Sequence, residues 1–463
     1  MFVIHLFLFF ALVYNSSQAG ITQQLQQFIL KELTNATLGL NITLHEDVGL
    51  DINHFLRKYN YPLETHWVTT EDGYILRLHR IRKHSPGNGK AKPPILLMHG
   101  LSSSSIDWVN MGPKSALGLR LADAGYDVWL GNNRGNTWSR FHQTLDPDVD
   151  AKKFWDFSFE ECGLYDLPAK IDYILNMTGH SQILYVGHSQ GSSQFFAMAA
   201  LRPEYNDKIA LMTALAPVAY MGNISSPLIK VAVKFYDQLK LVIDVLGLHE
   251  LIPHSWFIQE LGKLMCSDGS PIQKYCVTLI FSLVGFDSPQ LNTTFIPVIT
   301  SNAPAGISAK MVIHFAQNIK KGTFNRYDYG LENYKHYNKS FSPPAINVSA
   351  ITSPVVLYYA QNDLLSSVTD VERLATELPN VVRHVHINYT LFNHLDYIFA
   401  TDINALLNDD LIEYIDTFIK NRPEPTTSTT EGTEATTKHN SGNSISLSSL
   451  VFVITFITRY FTE

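Results

Sequence analysis

The sequence is poor in cysteine. Its 463 residues include three, too few for a scaffold built on disulfides, so a folded core has to be held by burial of apolar side chains. Excess positive charge is also missing. Lys and Arg number 35 against 42 Asp and Glu, for a net charge of -7 at pH 7, and no basic stripe breaks the pattern, which argues against a nucleic-acid partner. Neither of the apolar runs at the chain ends, 1–13 and 450–457, reaches the roughly 20 residues that a bilayer-spanning helix requires. What is present is 45% hydrophobic and 17% charged, a globular composition in a chain long enough for one large core with an insertion, or for two domains.

The two ends read as processing segments. Residues 1–19 have an apolar stretch followed by Ser17 and Ala19, small residues at the positions a signal peptidase reads, and are expected to be a secretory signal. The N-terminal segment 20–46 gives only helix-compatible Leu and Gln spacing. Eight N-x-S/T sequons support export and a glycosylated surface: Asn35, Asn41, Asn176, Asn223, Asn292, Asn338, Asn347 and Asn388. Folded structure is expected to stop near Asn421, followed by a Thr-rich stalk over 422–441. Residues 442–463 then resemble a GPI-attachment propeptide, with Ser441 among small residues as the attachment point. Secretion with a disordered tail is the alternative, because the apolar run is short and Arg459 and Glu463 follow it.

Between these ends, strands alternate with helices. Residues 66–70 and 74–81 flank Glu71-Asp72-Gly73 as a hairpin. Buried strands are predicted over 94–98, 126–130, 183–186 and 209–215, with helices over 116–124, 167–177 and 190–201, a βαβαβ pattern that makes a mostly parallel sheet covered on both faces. From about Met221 the alternation breaks. A helix over 228–246 has a narrow polar stripe of Lys230, Lys234, Asp237, Gln238 and Asp244 and is expected to bury most of its surface; 277–286 is a second very apolar run. Residues 221–347 therefore read as an inserted helical cap, either packed on the core or opening in part toward lipid. The sheet resumes with strands over 355–360 and 381–389 and a helix over 371–378, so the core comprises 47–220 and 348–421.

Ser189 lies in Gly187-His188-Ser189-Gln190-Gly191, between an apolar strand and a helix. That setting is what a G-x-S-x-G nucleophile elbow requires: a sharp turn presents the hydroxyl, and the helix start leaves N–H groups for a developing oxyanion. A serine hydroxyl needs an imidazole base, and the imidazole needs a carboxylate to fix its tautomer. Asp363 stands just past one strand and His394 in the loop after the next, in the chain order Ser, Asp, His. Asp370, Asp396 and Asp402 are rival carboxylates, but none directly follows a strand. The backbone N–H groups of Leu101 and Gln190 are the expected oxyanion donors. His99 reads as a loop histidine without a chemical role, Arg134 as a structural brace, and His384 and His386 as packed or exposed strand residues. No metal or cofactor is implied.

The segments L-A-D-A-G-Y-D-V-W-L-G-N-N-R-G-N-T-W at 121–138, F-W-D-F-S-F at 154–159, Y-D-L-P-A-K-I-D at 165–172 and G-H-S-Q-G at 187–191 resemble the acid lipase family that includes gastric and lysosomal acid lipases. The resemblance runs from about Asp47 to Lys420. It implies an α/β-hydrolase core with an inserted helical cap and lid, acting on carboxylic esters of neutral lipid. It also places the nucleophile on Ser189, the oxyanion donors on Leu101 and Gln190, the acid on Asp363 and the base on His394 in N-H-L-D-Y. The acid loop A-Q-N-D-L-L-S-S departs from the family's pattern of paired glycines before the aspartate and A-D-P after it, and Cys162 stands where the family usually has no cysteine. Three cysteines permit three pairings. The resemblance puts a disulfide in the cap, so Cys266 and Cys276 are the expected pair, with Cys162 free and buried. The implied function is a secreted or surface-anchored lipase, its partners a lipid interface and, through the anchor, a membrane; a lysosomal location is a lesser alternative. An esterase for soluble esters and a non-catalytic lipid-binding protein on the same fold are the competing readings.

Overall fold

A computed structural model describes residues 44–83, 92–252 and 256–422, together with Gln27 and Lys31. The expected signal at 1–19, Asn35 and Asn41, and the stalk and propeptide after Arg422 lie outside the described residues. The chain divides into two compact units, Met1–Ile415 and Asp416–Glu463. Of the second, only the helical residues through Asn421 and then Arg422 are described.

Its centre is an eight-stranded sheet. Strands β1 (Glu64–Thr69) and β2 (Ile75–Ile81) form the antiparallel hairpin, closed by Gly73 at φ 96°, a left-handed conformation that suits glycine. Then come β3 (Pro94–Met98), β4 (Asp127–Gly131), β5 (Ile183–His188) and β6 (Ile209–Leu215). The two-residue strands β7 (Glu250–Leu251) and β8 (Ile307–Ser308) pair with each other apart from the main sheet. β9 (Val355–Tyr359) and β10 (Val381–His386) complete the large sheet, whose order is β1-β2-β4-β3-β5-β6-β9-β10. From β4 onward every pair is parallel. β3, β5, β6 and β9 are buried at every position, which their unbroken apolar runs dictate, whereas the edge strand β10 alternates half-buried with exposed residues. Because the strands are parallel, the segments leaving β3, β5, β9 and β10 emerge along one edge of the sheet.

Between β6 and β9 the chain is mainly helical: Pro227–Lys234, Tyr236–Leu246, Trp256–Cys266, Gln273–Val284 and Ala309–Lys321. The single helix expected over 228–246 is two, meeting at Phe235, and the expectation that it buries most of its surface is wrong. Pro227–Lys234 has no fully buried residue and Tyr236–Leu246 has one, Ile243, while Leu241 and Val245 are 62% and 73% exposed. A wide apolar face sets what a helix would gain by burial, but here little protein covers it. Cys266 and Cys276 are bonded to each other and buried beside Ile296, and Cys162 is free and buried, its thiol pKa pushed up first by that burial. All six described sequon asparagines are exposed. Asn292 and Asn347 each accept from the backbone N–H and hydroxyl of their own sequon's third residue, Thr294 and Ser349.

The bridge closes a loop across ten positions. Replacing both Cys266 and Cys276 by serine should therefore cost about 2–3 kcal/mol, the chain-entropy value for a loop of this size. Chemical denaturation followed by intrinsic fluorescence reads it, and an unshifted midpoint would contradict that contribution.

Candidate active site

Ser189 follows β5 immediately and adopts φ 53°, ψ −118°, a strained conformation for a side-chain-bearing residue. The next residue, Gln190, begins the helix Gln190–Leu201. The two flanking glycines allow this compression. A Cβ on Gly187 would lie 2.6 Å from the Gly191 carbonyl, and one on Gly191 would collide with the Met98 carbonyl at the end of β3. The Ser189 N–H donates to the Leu215 carbonyl at 3.0 Å, so the turn is pinned to β6 as well.

Three groups distant in sequence meet at this turn. His394 Nε2 is 2.8 Å from Ser189 Oγ, and His394 Nδ1 is 2.9 and 2.8 Å from the two oxygens of Asp363. His394 and Asp363 are buried, and Ser189 is half-buried. Asp363 Oδ1 also accepts the backbone N–H groups of Leu365 and Ser366 at 2.9 and 2.8 Å, bonds that fix the carboxylate in place. The sequence departure around it leaves this cradle intact: Ser366 Oγ donates to the Pro217 carbonyl, and Asn362 Nδ2 donates to the carbonyls of Leu391 and Phe286. The rival carboxylates are engaged elsewhere. Asp370 accepts from Asn223 and Ser367, Asp402 from Gln290, and Asp396 from the Asn393 N–H.

The loop after β3 lies against the nucleophile. A Cβ on Gly100 would be 3.0 Å from His188 Nδ1 and 3.4 Å from Ser189 Cβ, so this approach suits glycine. The buried His99 donates Nδ1–H to the Gly100 carbonyl at 2.8 Å, and its Nε2 accepts from the Asn133 N–H and Asn136 Nδ2. Burial lowers its pKa to about 4, which keeps the ring neutral. Holding the Gly100 carbonyl on one side turns the Leu101 N–H to the other, since carbonyl and N–H oppose each other across a trans peptide. The Gln190 N–H, in the first turn of its helix, has no partner within that helix. Leu101 and Gln190 thus lie on the two segments that flank Ser189.

One contributor carried no role in the sequence reading. His188, inside the motif, is buried and donates Nε2–H to the His394 carbonyl at 2.9 Å, tying the histidine loop to the residue before the nucleophile. Burial first, then His394, lower its pKa to about 3, so it stays a neutral donor. A period-based reading treats it as one more residue of a buried strand; only the tertiary contact reveals the bond. Arg134 is a brace. It is buried, bonds Asp166 and Asp72, and stacks over Tyr74 at 4.0 Å. His384 and His386 pack on Tyr359 at the sheet edge. Among the described residues no group of three or more His, Cys, Asp or Glu is arranged to hold a metal ion.

Such a serine, imidazole and carboxylate chain suits acyl transfer from an ester. Family models agree with that chemistry: one described as a partial alpha/beta-hydrolase lipase region matches residues 52–112, and one described as the alpha/beta hydrolase fold matches 93–243. Lipase 3 of Drosophila melanogaster is 42% identical over 391 residues, 84% of this chain and 98% of that protein. The gastric triacylglycerol lipase of Homo sapiens is 38% identical, covering 83% and 96%. The human lysosomal acid lipase/cholesteryl ester hydrolase is 40% identical, covering 79% and 90%. With relatives this similar over nearly their whole length, the chain belongs to the family of gastric and lysosomal acid lipases and is a carboxylic ester hydrolase on the α/β-hydrolase fold.

Proposed function

We propose that the protein hydrolyses esters of neutral lipids, triacylglycerol or cholesteryl ester, through an acyl-enzyme on Ser189. The observation that carries this reading is the unbroken hydrogen-bonded chain from Asp363 through His394 to Ser189. Ser189 Oγ attacks the ester carbonyl carbon while His394 Nε2 takes its proton, and Asp363 stabilises the imidazolium that forms. The N–H groups of Leu101 and Gln190 donate hydrogen bonds to the carbonyl oxygen as negative charge develops on it. His394 then returns the proton to the departing alcohol. Water, deprotonated by the same histidine, repeats the attack and releases the fatty acid.

The helical insertion 221–347 acts in this reading as cap and lid. Leu241, Val245, Tyr275, Leu279 and Phe286 are all about half exposed or more, which supports contact with a lipid surface over use of dissolved substrate alone. The sequons at Asn35, Asn41, Asn176, Asn223, Asn292, Asn338, Asn347 and Asn388 and the leader support passage through the secretory pathway and N-glycosylation. The Thr-rich 422–441 and the propeptide-like 442–463 support attachment to the outer cell surface through a GPI anchor.

Ser189→Ala should abolish labelling by a fluorophosphonate probe, and Asp363→Asn should lower kcat on the order of 10⁴, as loss of the orienting carboxylate does in other triads. Full labelling of Ser189→Ala, or a crippled Asp396→Asn beside an active Asp363→Asn, overturns the assignment. On a panel of glycerides and sterol esters, activity on emulsions should exceed that on dissolved short-chain esters; the reverse order identifies a soluble-ester esterase. In cells that make GPI anchors, phosphatidylinositol-specific phospholipase C should release the full-length protein from the surface, whereas a chain ending at Asn421 should go straight to the medium. Free secretion with residues 450–463 still attached rules out the anchor.

A further inference from the structure

The end of the helix Gln273–Val284 is wedged between the loops that carry Asp363 and His394, which follow the neighbouring parallel strands β9 and β10. The Val284 carbonyl accepts the N–H of Leu364 at 3.4 Å and the N–H of His394 at 3.3 Å. Both bonds are longer than the roughly 2.9–3.0 Å of a good N–H···O contact. The shorter ones come from two asparagine side chains. Asn362, beside Asp363, donates from its Nδ2 to the Phe286 carbonyl at 2.9 Å and to the Leu391 carbonyl at 2.6 Å. A side-chain amide has two N–H donors, so this one group joins the acid loop, the helix end and the histidine loop and has none left over. The buried Asn393 donates Nδ2 to the Gly285 carbonyl at 3.1 Å, while its Oδ1 accepts the N–H groups of Leu395 and Asp396 at 2.8 and 3.2 Å. Gly285 has φ 117°, a left-handed value that suits glycine, and a Cβ on it would lie 2.2 Å from the Asn362 carbonyl oxygen and 3.1 Å from Asn393 Cβ. The helix end therefore presses directly on both asparagines.

We infer that Asn362 is a positioning residue for the base: with Asn393, and through the helix end 284–286, it sets where His394 Nε2 stands against Ser189 Oγ. The inference rests on the reading of His394 as the base. The backbone of that histidine is held from two sides, its N–H by the Val284 carbonyl and its carbonyl by His188 Nε2 at 2.9 Å. The second hold belongs to the nucleophile strand and the first to the insertion, so the base is placed correctly only while the helix end is seated. Without the Asn362 amide, the carbonyls of Phe286 and Leu391 lose the N–H groups that join them, and the acid loop keeps only the long Leu364 bond to the helix end. Nε2 has to take a proton from Oγ and hand it to the departing alcohol, and a misplacement of about 1 Å in such a geometry costs on the order of 10²-fold in rate. Proton transfer is the step this placement serves, so its loss falls on kcat and spares KM.

Steady-state hydrolysis of p-nitrophenyl butyrate, a soluble ester, tests this without a lipid interface. Asn362→Leu, which nearly keeps the shape of the side chain and removes both N–H groups, should lower kcat about ten- to hundredfold with KM within about twofold of the wild type. Asn380→Leu is the control, because Asn380 Nδ2 makes a comparable bond to the Thr352 carbonyl at 2.9 Å beside the opposite ends of β9 and β10. Its loss should leave both constants unchanged. A kcat for Asn362→Leu within about twofold of the wild type, a loss carried by KM, or an equal loss in Asn380→Leu overturns the inference. A second measurement uses the wild type alone. Phosphonylation of Ser189 by a fluorophosphonate restrains the histidine loop, and by linkage it should slow amide hydrogen exchange over 281–290 together with 391–396. Protection confined to 391–396 overturns the inference, and this result decides alone if Asn362→Leu does not fold. Failure of the base assignment is separate: His394→Ala would then keep the wild-type kcat, whatever Asn362→Leu shows.

Discussion

The site depends on how closely three backbone segments approach one another around Ser189. With glycine at 187 and 191, the end of β5 turns into a helix within one residue, and the helix start presses on the Met98 carbonyl of β3. Ser189 in turn bonds the last residue of β6. The nucleophile is thereby fixed to both neighbouring strands, and its unfavourable φ is over-determined by buried β-structure on each side. A side chain at 191 would force the end of β3 and the loop after it away from the turn, and one at 187 would force away the helix start itself.

Burial organises the charges. Three histidines crowd the same edge, and the low pKa values of His99 and His188 keep those rings neutral, each spending its N–H on a backbone carbonyl. His394 alone of the three has a carboxylate on its Nδ1. The division of labour follows from that partner: one imidazole is paired to carry positive charge, and the other two hold the segments on either side of it. Arg134, which could be mistaken for a charged site group, is neutralised by Asp72 and Asp166 away from this chain of bonds.

Much of this was legible in the sequence because it is encoded locally. The runs at 94–98 and 209–215 coincide with β3 and β6, and the helix 190–201 coincides with the one observed. Strands buried on both faces are continuous apolar stretches, and strand ends carry the chemistry. What local pattern hides is longer-range. The helix expected from Val371 begins at Val368, because Ser367 caps it by accepting the Asp370 N–H, although its first residues, Val368 and Thr369, are β-branched and disfavour a helix. The outer helices of the insertion look buried by composition and are open in the fold. The bonds of His188 to the histidine loop, and of Tyr389 to Asp287, join residues more than 100 positions apart. They have no signature in spacing.

The Val284 carbonyl accepts from both catalytic loops at once, and the next two residues add bonds to Asn393 and Asn362. This makes the end of the helix Gln273–Val284 part of the scaffold of the site and not a detachable cover. Anyone grafting the insertion of a related lipase onto this core would have to place the C-terminal seam ahead of Val284, keeping 284–287 with the host. A seam drawn at the sheet boundary near residue 347 would exchange the staple along with the substrate-facing helices, so that altered selectivity and a displaced histidine would arrive in the same chimera.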